Sequence, residues 1–343
     1  MATLRDVAEL AGVSVGTASQ ALNHRPGVAP ETRLRVLQAA SELGYLIKQP
    51  ALSQASPISI VGLLVKHDIE TPLIVNPFYS HVQAGVESEC RRFGMALMYS
   101  NVEVDDKNRP IEWPALLSEQ RIDGLIVAGT FIEDTLDKIK RRTELPIILL
   151  DGYAPDCLYD SVVTDNFQGA FNATQYLIEQ GHTCIGLIGS TEDSTPSIRE
   201  RREGYIKALM AAGIHDTYIE ESRLIREAGY EAVLRLLQRA PQITAIFVCN
   251  DETAMGVLKA ARDMGRNVPG NLSVMGFDDL LMSGEISPAL TTVHVYKEWM
   301  GKIGVHRLLE RVQNPEMPQT TTVLPTRIIV RESVRSLAEP VPQ

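Results

Sequence analysis

Apolar positions fall into two rhythms along the chain, a helical one up to about Tyr45 and a strand-and-helix alternation from Ile58 onward. In the first part Leu4, Val7, Ala8 and Ala11 recur at one-face helical spacing behind Thr3, a good N-cap with Asp6 three residues on. Gly12 stands where a helix ends in a left-handed residue, and Ser14 is placed to cap the next one. That second helix turns Ala18, Ala21 and Leu22 inward and leaves Val15, Gly16, Ser19, Gln20 and Asn23 outside. A third helix has Pro30 at its first helical position, Gly44 as its stop, and Val36, Leu37, Ala40 and Leu43 facing inward. The spacing predicts a small three-helix core.

Between Lys48 and Ser59 the pattern dissolves into a linker with prolines at both ends, too short for a stable isolated helix. Beyond it, apolar strands at 58–65, 95–99, 124–128 and 146–150 alternate with helical stretches at about 77–93, 112–121 and 133–143. A second run places strands near 161–164, 184–189, 245–249 and 272–276, with helices near 167–180, 197–212, 226–239 and 252–264. Such βαβ repetition implies parallel sheets covered on both faces, here in two doubly wound lobes with a cleft between them. A helix at about 296–313 and a last strand pair at 321–332 follow.

Composition narrows the class. No apolar run approaches the ~20 residues of a membrane span, and the N-terminus lacks a signal-peptide pattern. Cys90, Cys157, Cys184 and Cys249 are scattered, which suits reduced thiols in a cytoplasm better than a disulfide or zinc framework. The net charge of −10 divides unevenly: residues 1–55 carry five Lys/Arg and four acids, so they contribute +1 and the remainder −11. A head of +1 must draw much of any phosphate contact from helix N-termini, hydroxyls and backbone amides.

Two helices joined by a Gly-containing turn of this length form a helix-turn-helix, whose second helix enters a DNA major groove. The segment Thr3 to Tyr45 closely resembles the DNA-binding headpiece of the lac repressor family of bacterial transcription regulators. The matching words are AspValAlaGluLeuAlaGlyValSer at 6–14, the Thr17–Ser19 pair, LeuAsn at 22–23, ValAlaProGluThrArg at 28–33 and GluLeuGlyTyr at 42–45. The similarity runs on through AspGlyTyr at 151–153, ThrAspAsn at 164–166, ArgArgGluGlyTyr at 201–205, CysAsnAspGluThrAlaMetGly at 249–256 and MetGlyPheAspAsp at 275–279. The resemblance implies an all-α helix-turn-helix headpiece (1–47), a hinge (48–58) and a periplasmic-binding-protein-like α/β core (59–343). It further implies lobe crossings near Val163, Thr292 and Thr322, so lobe one takes about 59–163 and 293–321, and lobe two about 164–292 and 322–343.

Candidate DNA contacts on that resemblance are Thr3, Ser14, Val15, Gly16, Thr17, Ser19, Gln20, Asn23, His24 and Arg25. Relatives carry a minor-groove wedge Leu where this chain has Gln54, and Leu52 is the candidate to replace it by a shifted register. Gln20 suits adenine's N6 and N7, where the Arg of many relatives suits guanine, and Val15 suits a thymine methyl. In the cleft, Asp151, Asp165, Asn250, Asp251, Asp278 and Asp279 each follow an apolar strand, though Asp and Asn there also cap helices. Asp251 and Asp279 are expected to be caps. By resemblance Arg201, Asn250 and Asp278 hold the effector, and Arg, Asn and a carboxylate suit adjacent hydroxyls. Asp151 borders the same crevice, and Phe78 and Tyr79 are placed to stack on a ring, with core packing the other reading of Phe78. Val295, where relatives carry Gln, and an insertion at 68–75 both fall at the expected cleft rim.

The expected function is therefore an operator-binding transcriptional regulator, in all expectation a homodimeric repressor, controlled by a sugar-like or polyol effector. A ligand-binding protein with a weakly specific DNA head is the alternative, and an enzyme on a sugar or nucleoside the remote one. No cofactor, metal site or catalytic motif is found: there is no phosphate loop, dinucleotide fingerprint, nucleophile elbow or HisGluXaaXaaHis.

Overall fold

The computed structural model describes residues 3–22, 28–43, 58–68, 77–105, 109–118, 121–131, 133–153, 158–191 and 194–337. The chain divides into two compact units, Met1–Ser56 and Pro57–Gln343.

The first unit holds α1 (Leu4–Leu10), α2 (Val15–Leu22) and α3 (Pro30–Glu42). Thr3 and Asp6 close a reciprocal capping box on α1, and Gly12 has φ +65°, the left-handed geometry that ends it. Val7, Ala8, Ala11, Ala18, Ala21, Leu22, Val36, Ala39 and Ala40 make the core. Leu43 does not join them; it is 37% exposed, because α3 ends at Glu42 and Ala39 fills the inward position instead.

The second unit begins with β1 (Ile60–Asp68), α4 (Pro77–Arg92), β2 (Ala96–Val104), β3 (Gly124–Ala128), α5 (Glu133–Arg142), β4 (Ile147–Leu150) and β5 (Asp160–Thr164). It continues with α6 (Asn166–Glu179), β6 (Ile185–Ile188), α7 (Pro196–Ala211), β7 (Tyr218–Glu220), α8 (Arg226–Arg239), β8 (Ala245–Val248), α9 (Asp251–Asp263), β9 (Ser273–Met275) and α10 (Leu281–Glu285). It closes with β10 (Thr292–Val295), α11 (Lys297–Gln313), β11 (Thr321–Leu324) and β12 (Thr326–Ile329). Among the described residues, lobe one is a six-stranded parallel sheet of order β11-β5-β4-β3-β1-β2, and lobe two a four-stranded parallel sheet of order β7-β6-β8-β9. β10 and β12 pair antiparallel as a separate ribbon. Strands such as β3 and β8 are buried at every position, as expected of parallel sheets covered on both faces.

Two expectations fail here. Among the described residues of 112–121 the helix is confined to a 3₁₀ turn at Ala115–Ser118; Pro114 biases Trp113 away from helical geometry. The strands at 321–332 do not pair with each other: β11 joins β5 in lobe one and β12 joins β10. Pro325, which has no N–H, separates them, and the chain leaves the lobe-one sheet there, three residues after Thr322. The three-residue β7 and five-residue α10 are too short to leave a periodic signal.

Helix α11 packs on α4, β3, β4 and β5 and so belongs to lobe one. The α4–α11 contact brings backbones together: a Cβ at Gly85 would lie 2.1 Å from the Glu298 carbonyl oxygen, and one at Gly301 2.2 Å from that of Val82. No side chain fits at either position.

Candidate functional site

In the first unit the second helix presents a polar outer face. Ser14 Oγ accepts from the Thr17 amide at 3.1 Å and bonds Thr17 Oγ1 at 2.8 Å, which caps α2. Val15, Gly16 and Gln20 are exposed, and Thr17 and Ser19 half-buried. No acid lies in the first turn of α2, so the partial positive charge of its N-terminus is left for an anion such as a phosphate. Thr3 is engaged already, its hydroxyl donating to Asp6 at 2.8 Å. Asn23, His24, Arg25 and Leu52 lie outside the described residues.

In the second unit, the carboxyl ends of the two sheets bring together charged groups from both lobes. Asp151, just after β4, has φ +53°, and Asp278 and Asp279, after β9, have φ +113° and +53°. Left-handed geometry at an aspartate costs of order 1–3 kcal/mol and persists only where neighbours over-determine it. They do. Tyr79 donates to Asp151 at 2.9 Å, and Thr130 donates to the Asp151 carbonyl at 2.9 Å. Burial pushes the Asp151 carboxyl up to about 6, against the opposing pull of Arg201, the Tyr79 hydrogen bond and Lys66. Asp278 raises it further, so the two carboxyls feel each other across the lobes.

Arg201 of α7 lies 3.7 Å above the Phe277 ring and is buried. Its Nε donates to Asn166 Oδ1 at 2.9 Å, and its Nη1 to the Cys249 carbonyl at 2.5 Å and to Asp278 Oδ1 at 3.3 Å. Burial lifts the Asp278 carboxyl above the usual range even with Arg201 and Lys297 beside it. Tyr153 of lobe one donates to Glu200 of lobe two at 2.6 Å and accepts from Asn166 at 3.4 Å. Phe78 meets Tyr79 edge-on at 5.1 Å between centroids. Asp151, Tyr79 and Phe78 from one lobe thus face Arg201 and Asp278 from the other, a constellation of donors, acceptors and aromatic edges suited to a small polar ligand.

Comparison with known proteins decides the family. Residues 3–47 match the bacterial regulatory proteins of the lacI family, and residues 174–334 the periplasmic binding protein-like domain. The HTH-type transcriptional repressor PurR of Pasteurella multocida is 33% identical over 343 residues, covering 98% of this chain and 99% of that protein. The chain belongs to the lacI family of bacterial regulatory proteins. Among solved structures, the transcriptional regulator CelR–cellobiose complex is 29% identical, with a TM-score of 0.71 over 97% of this chain and 100% of that one. The lac repressor dimer bound to operator and the anti-inducer ONPF is 26% identical, with a TM-score of 0.68 over 97% and 99%. This chain is accordingly a lacI-family transcriptional repressor with a DNA-binding headpiece and an effector-binding domain.

Within the family frame, several sequence expectations need correction. Asp251 is not a cap. Asn250 caps α9 by accepting from the Thr253 amide at 3.0 Å, and Asp165 caps α6 in the same way through Gln168. The Asp251 carboxylate is buried and accepts from Ser283 Oγ at 2.7 Å, Thr292 Oγ1 at 2.6 Å and the Leu280 amide at 2.9 Å. Burial pushes it up to about 7. Asp279 is not a cap either: burial opposes its ionisation, but hydrogen bonds from His294 (2.7 Å) and Arg331 (2.6 Å) hold it down to about 2. Val295 is not at a rim but in the core, 1% exposed and paired with Thr326. Of the insertion at 68–75, residues 69–75 lie outside the described residues. Lys66, Tyr153, Asn166, Glu200 and Lys297 of this repressor escaped the sequence reading. Lys66 left a trace as a charge at the end of an apolar strand, and Tyr153 and Asn166 stood in the words AspGlyTyr and ThrAspAsn without a role.

Proposed function

We propose that the repressor binds a near-palindromic operator as a homodimer, and that a small polyhydroxylated effector, a sugar or polyol, occupies the interlobe cleft and sets operator affinity. The observation that carries this reading is the approach of two carboxyls from opposite lobes, the half-buried Asp151 and the buried Asp278, to Arg201, which bonds Asp278 directly. Carboxylates accept from vicinal hydroxyls while a guanidinium donates to others, and an aromatic edge covers the apolar face of a ring. A ligand touching both lobes favours closure, and a differential affinity of ~1–3 kcal/mol between states suffices to change operator occupancy. The cellobiose in the CelR complex supports the same chemical class.

Dimerisation is supported by the face formed by α8, α9 and α10. There a groove of about 600 Å³ is lined by Tyr230, Met255, Lys259, Met282 and Ile286, with Leu281 75% exposed beside it. The test of the effector reading is a thermal-shift panel of monosaccharides, disaccharides and polyols, with nucleosides as the contrasting class. A sugar at 100 times its Kd adds about 2.7 kcal/mol to the native state. Asp151→Asn should reduce that shift. Stabilisation by nucleosides alone would reject the polyol reading and leave the repressor assignment standing.

A further inference from the structure

Lys297 is the first residue of α11, the helix that belongs to lobe one, yet its side chain reaches into lobe two. It is 5% exposed. Its ammonium donates to the carbonyls of Asp278, Asp279 (3.2 Å) and Val295 (3.4 Å), and it lies 6.0 Å from the ring centroid of Phe78 on α4. Two of those carbonyls belong to the consecutive residues with positive φ, one of which carries the carboxyl paired with Arg201. A buried ammonium is costly without partners. Here two of the three partners are backbone carbonyls of the Asp278–Asp279 turn, so the cost of withdrawing Lys297 couples two bodies.

The rest of the path is stiff. The Asp278 amide donates to the Val293 carbonyl at 2.8 Å, which ties the turn to β10, and Tyr296 and Lys297 carry β10 directly into α11. Beyond Lys297, the backbone of α11 lies against α4 at Gly85 and Gly301, where the close approach leaves no room for independent sliding. A displacement of Asp278 is therefore passed through the Asp278 and Asp279 carbonyl contacts to a helix that can only move with α4. We propose that Lys297 is a positioning residue that transmits the state of the Asp278 turn in lobe two to α11 and α4 in lobe one. This rests on the cleft being the effector site, but the coupling itself is a property of the protein without ligand.

The test therefore needs no effector. Hydrogen–deuterium exchange is measured on four full-length proteins: the natural chain, Asp278→Asn, Lys297→Met and the double variant. Asp278→Asn removes the charge that faces Arg201 and Lys297 and loosens the turn. In the natural background, exchange should rise about threefold or more both at residues 277–281 and across the lobes at 297–303 and 78–86. In the Lys297→Met background, Asp278→Asn should change lobe two alone and leave 297–303 and 78–86 as they are in Lys297→Met. A lobe-one response of equal size with and without Lys297 would overturn the proposal. So would the absence of any lobe-one response to Asp278→Asn in the natural background, an arm that stands even if Lys297→Met fails to fold. A sugar panel without binders would reject the polyol reading and leave this result intact.

Discussion

Replacing Arg201 by alanine removes a guanidinium whose protein contacts are all buried. The Nε bond to Asn166, the Nη1 bonds to the Cys249 carbonyl and Asp278, and the stack on Phe277 disappear together. Hydrogen bonds with a charged partner contribute about 1.5–3 kcal/mol each, offset in part by the desolvation cost of the guanidinium that the substitution relieves, and the orphaned Asp278 adds a desolvation penalty. Breaking a buried ion pair by deleting one partner costs about 3–5 kcal/mol, in line with that sum. Arg201→Ala should therefore lower the urea midpoint of the effector-binding domain by the equivalent of about 3–5 kcal/mol. The loss should be smaller at acid pH. Asp278 already titrates above the usual range through burial, and without Arg201 it moves higher still. A carboxyl whose folded pKa is raised contributes stability below its unfolded pKa and loses it as pH rises through the folded one. Adding Asp278→Asn to Arg201→Ala should recover part of the loss at neutral pH, with a coupling of about 1–3 kcal/mol. A loss under about 1 kcal/mol for Arg201→Ala, or strict additivity in the double variant, would refute the reasoning. A lost ligand shift in Arg201→Ala would then be ambiguous, which makes Asp151→Asn the cleaner probe of the cleft.

Asp251→Asn should flatten the pH dependence of stability. With its carboxyl pushed by burial up to about 7, Asp251 adds stability below the ordinary carboxyl range that is lost as pH rises through about 7. Urea melts between about pH 5 and pH 8 should show the natural chain losing at least about 1 kcal/mol more than the variant over that interval; equal slopes would count against it. Gly301→Ala forces a Cβ to within 2.2 Å of the Val82 carbonyl oxygen and 2.7 Å of the Val86 amide nitrogen. Calorimetry should show a loss of about 1–3 kcal/mol, the usual cost of overpacking, and an unchanged Tm would contradict the packing described. Selection from a randomised operator pool should return A·T opposite Gln20 and shift toward G·C with Gln20→Arg; guanine opposite the natural glutamine would reject that pairing.

Much of this was legible in the sequence because each element carried its own local signal. Thr3, Gly12, Ser14 and Pro30 punctuate the headpiece, and their caps and left-handed turn are found where the residue types require them. The βαβ rhythm showed itself because buried parallel strands are continuous apolar runs. What escaped was set by distance rather than neighbourhood. Asp251 and Asp279 look like caps in sequence, and only the fold brings Thr292 and Ser283 to one and His294 and Arg331 to the other. Lys297 gave no sign, since its partners are backbone carbonyls of a turn 18 and 19 residues earlier. Asp151 and Asp278 were legible as strand-end acids; that they face each other across two lobes was not.

The most direct measurement is operator binding by fluorescence anisotropy, using an operator recovered from the randomised pool and the full chain. Titrations are run at two salt concentrations and repeated with each sugar or polyol that shifts the melting temperature. The expected result is specific binding that weakens steeply between roughly 50 and 200 mM salt. At least one such ligand should change the operator Kd by about fivefold or more, and Asp151→Asn should blunt that response. Operator affinity indifferent to every ligand that stabilises the protein, or no operator binding at low salt in any ligand state, would contradict effector control through this cleft.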